Sequence, residues 1–155
     1  MVSEQTVWPL HADGALRYLR GRYDVIKDWI AVQGWSNGAM RILVTMSDHA
    51  PGITRPMLET GFLYTLAEYP GCNMEAIQGS YHPYAPLLQM IGSADEEVSP
   101  KRCEEFAARN NITKIVYEVT EHNFDAPEKS KQASPADKRA TDDAMRNGES
   151  RFAQT

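Results

Sequence analysis

Residues 34–38 read Gly-Trp-Ser-Asn-Gly, a G-x-S-x-G pattern set between a short apolar run and a helical repeat. A serine at a sharp strand-to-helix turn must adopt a strained backbone and project its side chain freely. Glycines two before and two after it remove Cβ atoms that would collide as the helix folds back past the strand. The helix start aims unpaired N–H groups and partial positive charge at a developing oxyanion, Asn37 giving the first of them. The five-residue pattern alone arises by chance in about one chain in twenty of this length. Its flanks separate it from an ordinary Gly/Ser turn.

A serine hydroxyl at its free pKa is a weak nucleophile, so the chemistry needs a base and a carboxylate to orient that base. In the chain order Ser, Asp or Glu, His, the candidates are Ser36, Asp95 and His122. Asp95 follows the apolar stretch ending Ile91-Gly92, and its neighbours Glu96 and Glu97 are the alternative acids. His122 follows the last strand-like run, whereas His11 precedes a helix, His49 follows the elbow helix and His82 lies in a Pro-rich segment. Trp35, Tyr69 and Phe124 fall at expected strand ends and are candidate substrate-binding walls, with plain core aromatics as the alternative. Arg41, close to the nucleophile, reads as a solvated helix face.

The elements that must position these groups alternate in period. A helix over 12–20 carries Ala12, Ala15, Leu16 and Leu19 on one face and stops at Gly21. Trp29 to Val32 is a continuous apolar run of the kind buried on both faces of a parallel sheet. The elbow helix points Met40, Leu43, Val44 and Met46 inward, and the Pro- and Gly-containing stretch from His49 to Thr60 reads as loop. Further strands are expected at Phe62–Ala67, Leu87–Ile91 and about Ile112–Val119. Ser99-Pro100 caps a helix whose Cys103, Phe106 and Ala107 share a face, and Ser134-Pro135-Ala136-Asp137 starts a last helix reaching about Arg151. Four short strands separated by helices give one α/β domain over 1–155, a three-layer parallel sheet with flanking helices.

Bulk properties narrow the partners. The net charge is −5 with scattered basic residues, which argues against a nucleic-acid footprint, and no apolar run approaches the roughly 20 residues of a membrane helix. No charged n-region followed by an apolar h-region opens the chain. Cys72 and Cys103 are too few for a disulfide scaffold and wrongly spaced for zinc, so they read as free thiols in a reduced, cytoplasmic setting.

The elbow, Tyr69-Pro70-Gly71-Cys72, Tyr84-Ala85-Pro86-Leu87-Leu88 running into Ile91-Gly92-Ser93-Ala94-Asp95, and His122-Asn123-Phe124-Asp125 together resemble the dienelactone hydrolase family of the α/β-hydrolase superfamily. The resemblance runs from about residue 12 to 153. It implies Ser36 as nucleophile, Asp95 as acid and His122 as base, acting on a small acyl substrate, an ester or lactone, with no metal or organic cofactor. Some members carry cysteine where this chain has Ser36. Full members are longer at the front, so the resemblance implies a partial α/β-hydrolase fold lacking N-terminal strands and the loop that gives a second oxyanion donor. Losing one such donor costs about 3–4 kcal/mol of transition-state stabilisation. Ala39-Met40-Arg41 is also bulkier than usual after this elbow. Two consequences are expected: an apolar edge strand that recruits a second copy or an N-terminal fragment, and a rival reading in which the chain is a catalytically silent remnant or interaction module. A peptidase of the prolyl-oligopeptidase kind shares the residue order, but no propeller sequence accompanies it.

Overall fold

The structure is a computed structural model that describes residues 4–49, 61–74 and 77–153. Helix α1 (Glu4–Arg20) leads to strand β1 (Val32–Trp35), helix α2 (Asn37–Met46), β2 (Thr65–Glu68), β3 (Leu87–Gly92), α3 (Pro100–Arg109), β4 (Thr113–Tyr117), a short α4 (Lys129–Ala133) and α5 (Pro135–Ala153). The four strands form one parallel sheet in the order β1-β2-β3-β4, with Val32 beside Thr65, Thr65 beside Leu87 and Leu88 beside Thr113.

The apolar pattern explains the layers. Leu87 and Ile91 face one way and join Leu43, Val44, Cys103, Phe106 and Tyr81 in the core under α2 and α3. Leu88 and Met90 face the other way and meet Leu66, Phe124, Ala140 and Ala144 under α5. All six residues of β3 are buried, as a central parallel strand requires, and each large side chain so buried is worth about 1.5–3 kcal/mol. Ser99 caps α3 as anticipated, accepting from the Arg102 N–H at 3.4 Å.

Several boundaries differ from the sequence reading. Strand β1 is Val32–Trp35 rather than the apolar run 29–32, because pairing with β2 starts only at Val32, and Trp29 is left half exposed. The first helix begins at Glu4 and takes Pro9 into its second turn, where Trp8 packs towards α2. Within α1, Leu16 is buried and Ala15 exposed. The polar stretch before the last helix holds α4, and the expected loop from His49 to Thr60 lies, beyond His49, outside the described residues.

The cysteines are not free thiols. Cys72, in the loop after β2, is joined to Cys103 of α3, with the Cα atoms 5.1 Å apart. Spacing along the chain could not reveal this, because parallel pairing of β2 with β3 and the return of α3 across the sheet bring the two together. The cytoplasmic expectation thereby loses the thiols on which it rested, since disulfides persist in oxidising compartments. Among the described residues, no helix is long and apolar enough to cross a membrane.

Candidate active site

All three chemistry-bearing loops leave the C-terminal ends of strands. Ser36 follows β1 directly and has φ 49° and ψ −116°, a left-handed conformation rare for a residue with a side chain. Gly34 makes this turn possible: a Cβ there would lie 2.6 Å from Ile42 Cδ1 and 2.7 Å from the Gly38 carbonyl carbon. Gly38 differs from expectation, because a Cβ there meets nothing within 4 Å. Only one of the two elbow glycines is therefore sterically required. Asn37 opens α2, so its N–H is among the donors a helix start leaves unpaired. Its side-chain oxygen accepts from Arg41 Nε at 3.1 Å, and the Arg41 guanidinium stacks 5.2 Å from the centre of the Trp8 ring. Arg41 is thus an exposed side chain engaged with its own helix and with α1 rather than with Ser36.

On the other side, β3 ends at Gly92, where a Cβ would lie 2.3 Å from the Thr120 carbonyl oxygen. The missing side chain lets the loops after β3 and β4 pack directly. Ala94 N–H donates to that Thr120 carbonyl at 3.0 Å, and Val119 N–H donates to Ser93 Oγ at 2.9 Å. Asp95 is buried, its Oδ1 accepting from the N–H groups of Glu97 and Val98 at 2.9 and 3.0 Å. Its Oδ2 stands 2.6 Å from Nδ1 of His122, also buried, and the other ring nitrogen, Nε2, stands 2.9 Å from Ser36 Oγ. With the proton on Nδ1 donated to the carboxylate, Nε2 is left as acceptor for the serine hydroxyl. Ser36, His122 and Asp95 form one continuous chain of hydrogen bonds.

The last helix fixes this loop. Asp137 in its first turn accepts from the Glu121 N–H at 3.1 Å, and Thr141 Oγ1 donates to the Phe124 carbonyl at 2.9 Å. Ser134 accepts from the Asp137 N–H at 3.3 Å, so the Asp137 carboxylate completes the loop after β4 instead of the reciprocal half of a capping box.

The three aromatic candidates separate. Trp35 is 44% exposed at the end of β1. Tyr69 is buried, with its ring edge-on to His122 at 4.7 Å between centroids and its hydroxyl donating to Asp125 at 2.5 Å. Burial and the neighbouring Asp125 push the Tyr69 phenol far above its ordinary range, so it remains protonated. Phe124 is fully buried, edge-on to both Tyr69 and Tyr117, and belongs to the core under α5 rather than to an open substrate wall.

Two further acids lie near the site: Glu97, weighed above as an alternative to Asp95, and Glu68, which escaped the sequence reading. Glu97 reaches back so that its Oε2 is 3.6 Å from His122 Nε2. Glu68 at the end of β2 is buried, accepts from Gln33 Nε2 at 2.5 Å, and is pushed up to about 7 chiefly by burial, with the charge of Asp125 adding to it. A strand-alternation pattern gives no hint of Glu68, whose burial depends on which strand lies alongside, while Glu97 faces the Nε2 side of His122 and Asp95 takes the Nδ1 side. A cavity of about 660 Å³ adjoins the Asp95 side, with Met40, Gly71, Asn73, Glu97 and Arg102 among its walls.

Comparison with solved structures places this architecture. The chain superposes on a dienelactone hydrolase-like promiscuous phosphotriesterase from metagenomic libraries with a TM-score of 0.67 and 18% identity, over 97% of this chain and 62% of that one. The fold is a partial α/β-hydrolase fold. An alpha-beta serine hydrolase homologue from Coxiella burnetii gives a TM-score of 0.67 at 15% identity, over 95% of this chain and 61% of that one. The propionate-bound thermophilic esterase of Thermogutta terrifontis gives 0.63 at 16% identity, over 89% and 62%. The chain thus spans about three-fifths of the length of these hydrolase-fold proteins. No family model and no curated protein matches the sequence.

Proposed function

We propose that this chain is a serine hydrolase of the dienelactone hydrolase type, cleaving an ester or lactone through an acyl-enzyme. The observation that carries the reading is the unbroken Ser36–His122–Asp95 relay, with 2.9 and 2.6 Å between its members. His122 Nε2 takes the Ser36 proton as Oγ attacks the acyl carbon. Asp95 stabilises the imidazolium that forms, and its second oxygen, fixed by two backbone N–H groups, keeps the carboxylate from rotating away. His122 then returns the proton to the leaving alcohol. Water, deprotonated by the same imidazole, releases the acyl group from Ser36. The Asn37 N–H supports the oxyanion, while Trp35 and Tyr69 border the acyl position. The expected outcome is Ser36-dependent release of nitrophenol from a short-chain nitrophenyl ester, reduced by at least about 10³-fold in Ser36→Ala. Equal rates in variant and parent defeat the proposal.

One observation favours a second reading, a silent remnant: the described residues offer the Asn37 N–H at the helix start, but no loop from the other side of the serine. A fluorophosphonate probe separates the two, since a folded chain whose Ser36 stays unlabelled is a remnant.

We also infer that β1 recruits a further strand, from a second copy or an N-terminal fragment. Its outer edge pairs with no described strand, and Trp29, Ile26 and Tyr23 leading into it are exposed. Sedimentation at micromolar concentration should show self-association of the chain alone; a single monomeric species would remove the homo-oligomer.

A further inference from the structure

We propose that Asp48, His49 and His82 form a binding site for one divalent transition-metal ion, of the zinc class, at the end of the sheet opposite the Ser36 relay. Asp48 and His49 follow the C-terminus of α2, which starts at the serine and runs back towards the strand beginnings; His82 precedes β3. One ligand atom from each of the three side chains lies within 4.8 Å of the other two. Asp48 Oδ1 and His49 Nε2 are 3.5 Å apart. Ligands on a tetrahedral zinc, with bonds of about 2.0–2.1 Å, stand roughly 3.3–3.4 Å from one another. That pair already has the spacing of two ligands on one ion, and small rotations of the exposed imidazoles bring in the third.

The backbone holds the cluster together independently of any ion. Asp48 N–H donates to the His82 carbonyl and Tyr84 N–H to the Met46 carbonyl, both at 3.0 Å, and Ser47 and Pro83 form an antiparallel bridge. Beneath them the Tyr81 hydroxyl donates to the Leu43 carbonyl at 2.8 Å. Ser80 Oγ stands 3.4 Å from His82 Nδ1 and orients that ring. A second observation points to a ligand. The Asp48 side chain is 30% exposed, but its Oδ1 atom is buried, faces His49 Nε2 at 3.5 Å and makes no hydrogen bond among the described residues. Buried carboxylate oxygens are rarely left so, and a cation between Asp48 and the two imidazoles would satisfy it.

The donor set decides the class of ion. Two neutral imidazoles and one carboxylate suit zinc and its first-row neighbours, whereas calcium and magnesium favour all-oxygen shells. Three protein ligands leave room for water on the exposed side, where the His49 side chain is 69% exposed. Bound there, the ion clips the end of α2 to the loop before β3. Its effect is on stability and does not depend on the hydrolytic reading.

The test is a titration of the full, untagged chain with Zn²⁺ by calorimetry and with Co²⁺ by visible absorption, with thermal melts alongside. One equivalent should bind and raise Tm. His49→Ala and His82→Ala should each weaken binding by more than about ten-fold, as should the near-isosteric Asp48→Asn, with circular dichroism confirming that each variant is folded. His122→Ala should bind as the parent does. The proposal is overturned if no ion binds, if the His49→Ala/His82→Ala double variant binds undiminished, or if binding disappears in His122→Ala.

Discussion

Asp95 and His122 are buried side chains on loops that are cross-tied by backbone hydrogen bonds, by the last helix and, through α3, by a disulfide. Ser36 sits at the end of an edge strand whose Gln33 and Trp35 face solvent. The acid and base are therefore tied by several loops and a helix, while the nucleophile rests on the strained turn that Gly34 allows and on one backbone bond across to Glu68 of β2, at 3.0 Å. The difference teaches where the structure can be perturbed. Damage on the acid–base side must break packing, whereas on the serine side it need only relax one turn.

The contrast breaks most strongly at the staple. Replacing both Cys72 and Cys103 by serine opens a loop of 31 residues, and urea unfolding should show a loss of about 3–4 kcal/mol. A loss below about 1 kcal/mol would mean that the packing of α3 carries that side without the bond.

Glu68 sharpens the comparison from the serine side, since it lies in β2 against β1 and is held near pH 7 by burial. Its folded pKa lies above the unfolded value of 4.5, so the folded state holds the proton longer. Stability from this group is full below about pH 4.5 and falls as pH rises to about 7, a difference of about 3 kcal/mol. Glu68→Gln should remove that slope and be the more stable protein at pH 8. Parallel pH–stability curves for variant and parent would show that the carboxyl is solvated.

The smallest effects come from the elbow glycines and have opposite signs. Gly34→Ala drives a Cβ into Ile42 and the Gly38 backbone and should cost about 1–3 kcal/mol. Gly38→Ala finds open space in a helix and should stabilise by up to about 1 kcal/mol. Two equal losses, read by thermal melts, would show that Gly38 is hemmed in after all.

Much of the site was legible along the chain because local rules mark it. A G-x-S-x-G turn needs a strand before and a helix after, and both are there. Ser99-Pro100 announces a helix start, and the one-face spacing of Cys103, Phe106 and Ala107 matches their burial. The start of β1 was not legible, because an apolar run says what is buried while hydrogen-bond pairing says what is strand. Phe124 shows a similar limit: its place after β4 was legible, but only its packing against Tyr69 and Tyr117 decides between the pocket wall and the core aromatic that the sequence left open.

The sequence by itself determined the parallel α/β architecture, the order Ser36, Asp95, His122 at strand ends and the helix caps, since each follows from periodicity or from residue types a few positions apart. Only the tertiary structure decided the Cys72–Cys103 bond, the hydrogen bond from exposed Gln33 to buried Glu68 and the meeting of Asp48 and His49 with His82. Those partners are separated by 31, 35 and more than 30 positions, and what joins them is the register of parallel strands and the return path of α2 and α3. Local chemistry writes the elements; long-range contact free energy chooses which of them touch.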